Sequence, residues 1–554
     1  MTTGKEGNAS HPGSLIEHIA QIAHKYPSKP AIIHASAKFE TKDFESLFKD
    51  TQIAARLLRQ KGLLRGDRTL LMVKPGYDLI ITCLAIIYIG AIPIIVDPGM
   101  GIKKAIQCIR HSKPTALVSI PLVGFFSIFL RRTFSSIRKK IIINKNSYAK
   151  FRKTKKSEDE FGAFFPKPSD LAAIIFTSGS TGPAKGVRYL HSNFGAQVLA
   201  LKNEFGLSPG EVDLTTLPVF SLFNPALGIT SVIPDMNPKS PAKSDGSTLV
   251  KNITDHKVTT AFCSPLIGEK IARHCESNKI KLLHLKRLML AGAPSHPTLV
   301  RRLSKIASNA RIYLPYGATE ALPVAFCDHS EVDANFDSIL SGDGSCLGKP
   351  VTGVDIMLIQ PRNSPVPHDF EERIKPIKNS MTVGEICVTG KVVTDGYDRM
   401  PGATRDSRFI FDGKVFHRMG DLGYMDKMGL LRFLGRKVEC VNTPAGILET
   451  ERCEPIANSV DGVYRSALIG LGKANPKEPC IIVELDHKVN KTFDEIKEEL
   501  LLLFNERLTK YKISKIIREY SLPVDARHNT KIHRLSLAKK WTRLLSTKKN
   551  SLGS

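Results

Sequence analysis

Short apolar runs alternate with helix-like segments from about residue 15 to 435, and that alternation points the chain to a layered α/β architecture. The runs include Ala31-Ile-Ile33, Thr69-Leu-Leu-Met-Val73, Pro93-Ile-Ile-Val96, Ala116-Leu-Val-Ser-Ile120, Lys140-Ile-Ile-Ile143, Leu171 to Phe176, Thr259-Thr-Ala-Phe262 and Arg287-Leu-Met-Leu290. After about 350 the pattern turns to shorter strands with glycine turns, and 384–391 and 429–435 read as antiparallel pieces. A second unit starts at 436, with a helix predicted from Phe493 to Arg507, then a loop and a basic end from His533 to Asn550. At 554 residues the chain is too long for one core. The expected division is a flexible start (1–14), an α/β body (15–435), a small C-terminal unit (436–545) and a flexible tail (546–554).

One loop carries chemistry. Phe176-Thr-Ser-Gly-Ser-Thr-Gly-Pro-Ala-Lys-Gly-Val187 follows the run that begins at Leu171, so a strand ends in backbone N–H groups, four hydroxyls and a lysine. Binding a triphosphate needs such a set with no bulky side chains in the way. The loop is not a Walker A motif, because Ala184 stands where the second glycine would be and Gly186 where Ser or Thr would be. An ordinary Gly/Ser turn is the alternative reading.

The run resembles the phosphate loop of the adenylate-forming, AMP-binding enzymes, and the similarity extends over roughly residues 15–540. That resemblance implies a large N-terminal adenylating domain of layered α/β subdomains and a small mobile α+β C-terminal lid. It implies ATP and Mg²⁺ as cofactors. By position, Thr177, Ser178, Gly179, Ser180, Thr181, Gly182 and Lys185 would hold phosphates, with Thr181 among the catalytic groups. Tyr316-Gly317-Ala-Thr319-Glu320 would place an aromatic ring and a turn against adenine, a hydroxyl near the α-phosphate, and the Glu320 carboxylate on Mg²⁺. Asp421 in His417-Arg-Met-Gly-Asp-Leu-Gly423 would accept from both ribose hydroxyls, and Arg436 would reach the nucleotide. Lys531, in Asn529-Thr-Lys-Ile-His-Arg534, would swing over the site and offset charge during adenylation. A surface turn, a common Asp in a Gly turn and a solvated surface lysine are the competing readings. Three positions depart from the pattern: Met419 replaces the usual Thr, Thr530 the usual Gly, and Val438 the usual hinge Asp or Lys.

A narrower resemblance, to the β-lactone synthetases of bacterial long-chain olefin synthesis, rests on Val96-Asp-Pro-Gly-Met-Gly101, 217–228, Val232-Ile-Pro-Asp-Met236, Gly435-Arg-Lys-Val438 and Arg527-His-Asn-Thr-Lys-Ile532. It implies that a long-chain β-hydroxy acid is adenylated and that its own hydroxyl then closes the lactone ring. A fatty acyl-CoA or acyl-AMP ligase is the enzyme alternative, and a scaffold that keeps the fold without the chemistry is another. Ser221, Phe223, Leu227 and the Ala291-Gly292-Ala293 turn are candidates for the acyl pocket, with core packing as the other explanation.

The charge balance adds a separate question. The net charge is +27, and residues 131–156 hold eleven Lys/Arg and no acid, directly after the apolar Ile120 to Leu130. An apolar segment abutting a basic one fits a peripheral membrane contact over 120–156, and a solvated basic surface is the alternative. No nucleic acid is expected, since no aromatic-basic platform accompanies the charge. Partner enzymes of the same lipid pathway are a further expectation. Leu79 to Val96 is uncharged but interrupted by Gly90 and Pro93, so it reads as a buried helix (77–88) and a strand (92–96). The polar start of the chain shows no signal peptide, and the ten scattered cysteines suggest a reducing, cytoplasmic setting.

Overall fold

A computed structural model describes residues 14–551 except 36–39, 145–146, 149–150, 152–163, 177–183, 218–220, 238–240, 366–373, 487–490, 514 and 526–530. The chain opens with α1 (Leu15–Lys25), β1 (Pro30–His34), β2 (Glu40–Asp43) and α2 (Phe44–Gln60). It then winds β3 (Arg68–Met72), α3 (Tyr77–Ile89), β4 (Ile92–Val96), α4 (Ile102–Ser112), β5 (Ala116–Ser119), α5 (Pro121–Phe129), β6 (Lys139–Ile142), β7 (Leu171–Phe176) and β8 (Gly186–Leu190). These make a six-stranded sheet in the order β6-β5-β3-β4-β7-β8, parallel except for β8. The stretch from Leu79 to Val96 is α3 and β4. The helix is apolar nearly all round and is buried from Ile80 to Ile89, the signature of a core helix. Among the described residues no helix is long and apolar enough to cross a membrane.

The second sheet takes β9 (Val212–Thr215), β10 (Thr230–Ile233), β11 (Thr260–Cys263), β12 (Arg287–Leu290), β13 (Arg311–Ala318), β14 (Ala321–Asp328), β15 (Ser345–Pro350), β16 (Val354–Ile359), β17 (Gly384–Gly390), β18 (Arg408–Phe411), β19 (Lys414–Met425) and β20 (Leu431–Arg436). Its order is β16-β17-β19-β20-β15-β14-β13-β12-β11-β9-β10-β1-β2, with β18 beside β19. Parallel pairing from β1 to β13 gives way to antiparallel pairing from β13 onward, which is the change in pattern expected after 350, begun somewhat earlier. Helices α6 (His191–Phe205) and the short α7 (Asn224–Leu227) flank β9. Phe205 from α6 packs edge-on against Tyr313 of β13, at 5.1 Å between centroids.

Beyond Arg436 lie the β21 (Val441–Thr443) and β22 (Gly446–Leu448) hairpin, α8 (Thr450–Asn458), β23 (Val463–Leu471), β24 (Glu478–Leu485), α9 (Phe493–Arg507), β25 (Lys515–Arg518) and α10 (Arg534–Ser551). The strands form a separate three-stranded sheet, β23-β24-β25, with its own apolar core of Leu468, Ile481, Val483, Leu500 and Phe504. Arg436 still belongs to the large sheet. Helix α10 runs to Ser551, through the position at which the flexible tail was expected to start; most of the flexible start lies outside the described residues.

Candidate active site

Ala318 faces Ala321 across the β13–β14 ladder, so Thr319 and Glu320 are the turn between them. Gly317 permits this geometry: a Cβ there would sit 2.7 Å from the Ala321 carbonyl oxygen. Glu320 is held at both ends. The Thr394 N–H and hydroxyl donate to its carbonyl oxygen at 2.9 and 3.0 Å, and the Tyr397 hydroxyl donates to Oε1 at 2.8 Å. Lys185 Nζ lies 4.5 Å from the Tyr397 ring centroid, within cation–π range. One tyrosine therefore touches both the carboxylate of the turn and Lys185.

Tyr397 reaches this place because β8 extends its pairing to the 395–398 segment. Val187 bridges Tyr397, Arg188 N–H donates to the Gly396 carbonyl at 2.9 Å, and Asp398 N–H to that of Gly186 at 2.7 Å. The Tyr189 hydroxyl donates to the Thr319 carbonyl at 2.6 Å, tying β8 to the same turn. Burial and the Glu320 charge push the Tyr397 phenol well up, which keeps it a donor.

Asp421 on β19 stands directly opposite Arg436 on β20. Its carboxylate is buried; Oδ2 accepts from the Tyr316 hydroxyl at 2.6 Å. Arg436 Nε lies 3.3 Å from Oδ1 without the alignment of a hydrogen bond, so among the described residues Oδ1 is a buried acceptor with no donor. Burial raises the Asp421 pKa, with Arg436 opposing it. An ionised carboxylate with one oxygen still open suits a ribose diol, so the residues present fit a nucleotide. His417, four residues earlier on β19, is buried, and burial lowers its pKa to about 4, leaving a neutral ring among Glu320, Arg408 and Lys185. Met419, at the position usual for Thr, is buried in the apolar cluster with Val354 and Leu431.

Not every expected site residue is brought to this cluster. Thr177, Ser178, Gly179, Ser180, Thr181 and Gly182 lie outside the described residues; Phe176 before them pairs with Gly186 after them. Ser221 is buried, Phe223 packs edge-on against Phe194 at 5.7 Å between centroids, and Leu227 lies in the core shared with α1 and α3. Ala291, Gly292 and Ala293 follow the carboxyl end of β12, with Gly292 exposed. Lys531 is exposed on the C-terminal unit, its backbone paired with Asp525, and it has no part in the contacts described above.

Sequence reasoning missed three groups. Tyr397 carried no signal beyond an aromatic beside a glycine. Asn224 donates to Asp213 at 2.8 Å and to Ser231 at 2.9 Å, which anchors α7 beneath Ser221–Phe223; burial raises Asp213 to about 6. Arg534, three residues after Lys531, is half-buried between Glu454 (2.6 and 2.7 Å) and Glu439 (2.8 Å), just past Val438. Burial works against its charge, and the two carboxylates outweigh that effect.

Lys185, the Glu320 turn and a buried acid with one open oxygen are chemically suited to a nucleotide. The chain belongs to the AMP-binding enzyme family, which its residues 19–398 match, and it is an ATP-dependent, AMP-forming ligase. It is 35% identical over 529 residues to the olefin β-lactone synthetase of Stenotrophomonas maltophilia, covering 94% of each chain. It is also 35% identical over 549 residues to the enzyme of that name from Xanthomonas campestris, covering 97% of this chain and 98% of the other. Among solved structures, ATP-bound MatB from Rhodopseudomonas palustris aligns with a TM-score of 0.78 at 20% identity over 96% of this chain and 99% of its own. The amide bond synthetase McbA from Marinactinospora thermotolerans aligns at 0.77 and 18% over 95% and 99%. These last two likenesses bear on the fold.

Proposed function

We propose that the chain activates a long-chain β-hydroxy fatty acid as its acyl-adenylate and that the substrate's own hydroxyl then closes a β-lactone. The observation that carries this reading is the 35% identity to olefin β-lactone synthetases over nearly the whole of both chains. In the first step a carboxylate oxygen of the acid bonds to the α-phosphorus of ATP and the bond to the β-phosphate oxygen breaks, releasing pyrophosphate. Asp421 holds the ribose, Lys185 and the loop offset phosphate charge, and Lys531 serves the α-phosphate from the C-terminal unit. Mg²⁺, with Glu320 as its protein ligand, would neutralise phosphate charge when bound. In the second step the β-hydroxyl oxygen bonds to the acyl carbon, the acyl–phosphate bond breaks, AMP leaves and the hydroxyl proton passes to solvent. An internal nucleophile held near the carbonyl supplies proximity in place of a thiol site. An apolar hinge residue, Val438, accords with that.

A cavity of about 580 Å³ where the two units meet, with Arg452, Arg507 and Lys510 in its lining, favours a second reading in which an anionic carrier such as CoA takes the acyl group. Incubation with ATP, Mg²⁺ and a synthetic β-hydroxy acid, with and without CoA, followed by mass spectrometry, separates the two. A product one water lighter than the acid, formed without CoA, is expected. A thioester with CoA-dependent turnover refutes the lactone reading, and absence of pyrophosphate release with every acid refutes adenylation itself.

A further inference from the structure

Helix α5 is inside out. Its buried positions are the small Gly124 and Ser127, while Leu122, Phe125, Phe126, Ile128 and Phe129 are 61%, 58%, 52%, 52% and 68% exposed. The glycine makes this possible, because a Cβ at 124 would lie 2.3 Å from Ile142 Cδ1 on β6, and the Ser127 hydroxyl is used up by the Gly124 carbonyl at 2.6 Å. Phe125 meets Phe126 and Phe129 edge-on, with centroids 6.0 and 5.0 Å apart, so the apolar face is already assembled. A contiguous exposed patch of this kind marks an interaction surface.

What surrounds the patch selects the partner. The helix leads into exposed Arg131 and Arg132, and β6 beside it exposes Lys140 and Ile142. Lys139 is paired with Asp67 at 2.7 Å, whereas Arg131, Arg132, Arg138 and Lys140 have no acidic partner among the described residues. A cavity of about 350 Å³ opens between helix and strand, with Arg131, Lys140 and Ser135 at its polar side and Ile128 at its apolar side. The segment from Ile120 to Ser157 contains no acid. Apolar side chains rimmed by cations, with Arg131 and Lys140 lining the cavity between them, fit the boundary of an anionic bilayer. A second copy fits poorly, since two chains of net charge +27 would meet with like charge.

We propose that α5 and the basic turn after it dock the protein on an anionic phospholipid membrane. The helix lies in the plane of the interface with Leu122, Phe125, Phe126, Ile128, Phe129 and Leu130 among the acyl chains, and Arg131, Arg132 and Lys140 against headgroup phosphates. Since β5, β3, β4 and β7 are parallel neighbours, α5 leaves the same carboxyl edge of the sheet at which β7 enters the phosphate loop. The bilayer would thus lie beside the edge that handles the nucleotide.

The test is co-sedimentation of the full chain with vesicles of phosphatidylcholine alone or mixed with phosphatidylglycerol. Binding to the phosphatidylglycerol vesicles, weakened by salt, is expected. The Phe125→Ser/Phe129→Ser and Arg131→Glu/Arg132→Glu double variants should each lower the partition coefficient about tenfold or more. ATP–pyrophosphate exchange with a water-soluble acid and no vesicles should be unchanged in both, which certifies the fold. Absence of binding, equal binding to neutral vesicles, or variants that partition like the parent would each overturn the proposal. So would a dimer in sedimentation velocity that either variant converts to monomer, because the face would then belong to a second copy.

Discussion

Replacing Asp421 by Asn separates the nucleotide role of this residue from any structural one. The carboxylate is buried, takes one hydrogen bond from Tyr316 and leaves Oδ1 open. Bonds to a charged partner contribute about 1.5–3 kcal/mol each. The amide keeps one acceptor and weakens it by losing the charge, so about 3 kcal/mol of nucleotide binding goes. That corresponds to about a hundredfold fall in kcat/KM for ATP. Stability should move the other way. Burial raises the Asp421 pKa, so the ionised form costs stability, a cost that grows as pH rises through the folded value and is complete above it. Asn removes that cost at neutral pH, Tyr316 can still donate to its oxygen, and Arg436, 43% exposed, regains water. ATP–pyrophosphate exchange with thermal unfolding in parallel reads both effects. A kcat/KM for ATP within about twofold of the parent, or a Tm that falls along with activity, would refute the reasoning.

Arg534→Met strands Glu454 and Glu439 and should cost about 3–5 kcal/mol by calorimetry, most of it recovered when both glutamates become Gln. His417, whose ring burial keeps neutral down to about pH 4, takes up a proton near pH 6.5 only when unfolded, so its contribution is present at pH 7 and lost as pH falls from about 6.5 to 4. His417→Gln should shrink the difference in urea stability between pH 7 and pH 5 by about 2 kcal/mol. Tyr397→Phe keeps the ring under Lys185 but removes the donor to Glu320, and a fall of about ten- to a hundredfold in kcat/KM with Tm nearly unchanged is the expected kinetic result.

The strands were legible because apolar runs such as Ala116–Ser119 and Leu171–Phe176 are bounded by breakers and have few alternatives. Asp421 was legible as an acid in a Gly turn, but its register against Arg436 was not, since cross-strand pairing depends on a hairpin whose bulge the local pattern does not encode. Tyr397 was hidden for the same reason at longer range: it meets Glu320 through pairing with β8, some two hundred residues upstream in the chain. Arg534 sits in a basic stretch that local composition assigns to solvent, and only the packing of α8 against the start of α10 half-buries it. In α5 the apolar run beside a basic one suggested a surface element, and what the local pattern did not show is that the small residues Gly124 and Ser127 set which face turns inward.

The pairing of Asp421 with Arg436 also determines where the polypeptide can be divided. Lys437 is still fastened to the large body, its N–H to the Gly420 carbonyl at 3.0 Å and its ammonium to Glu385 at 2.9 Å, whereas Val438 is half exposed. The C-terminal module is therefore exchangeable only from 438 onward. A chimera joined one or two residues earlier would carry Lys437 or Arg436 across with the C-terminal module, whereas one joined between 437 and 438 would leave the Asp421–Arg436 pair with the recipient and test what the module alone contributes to activity.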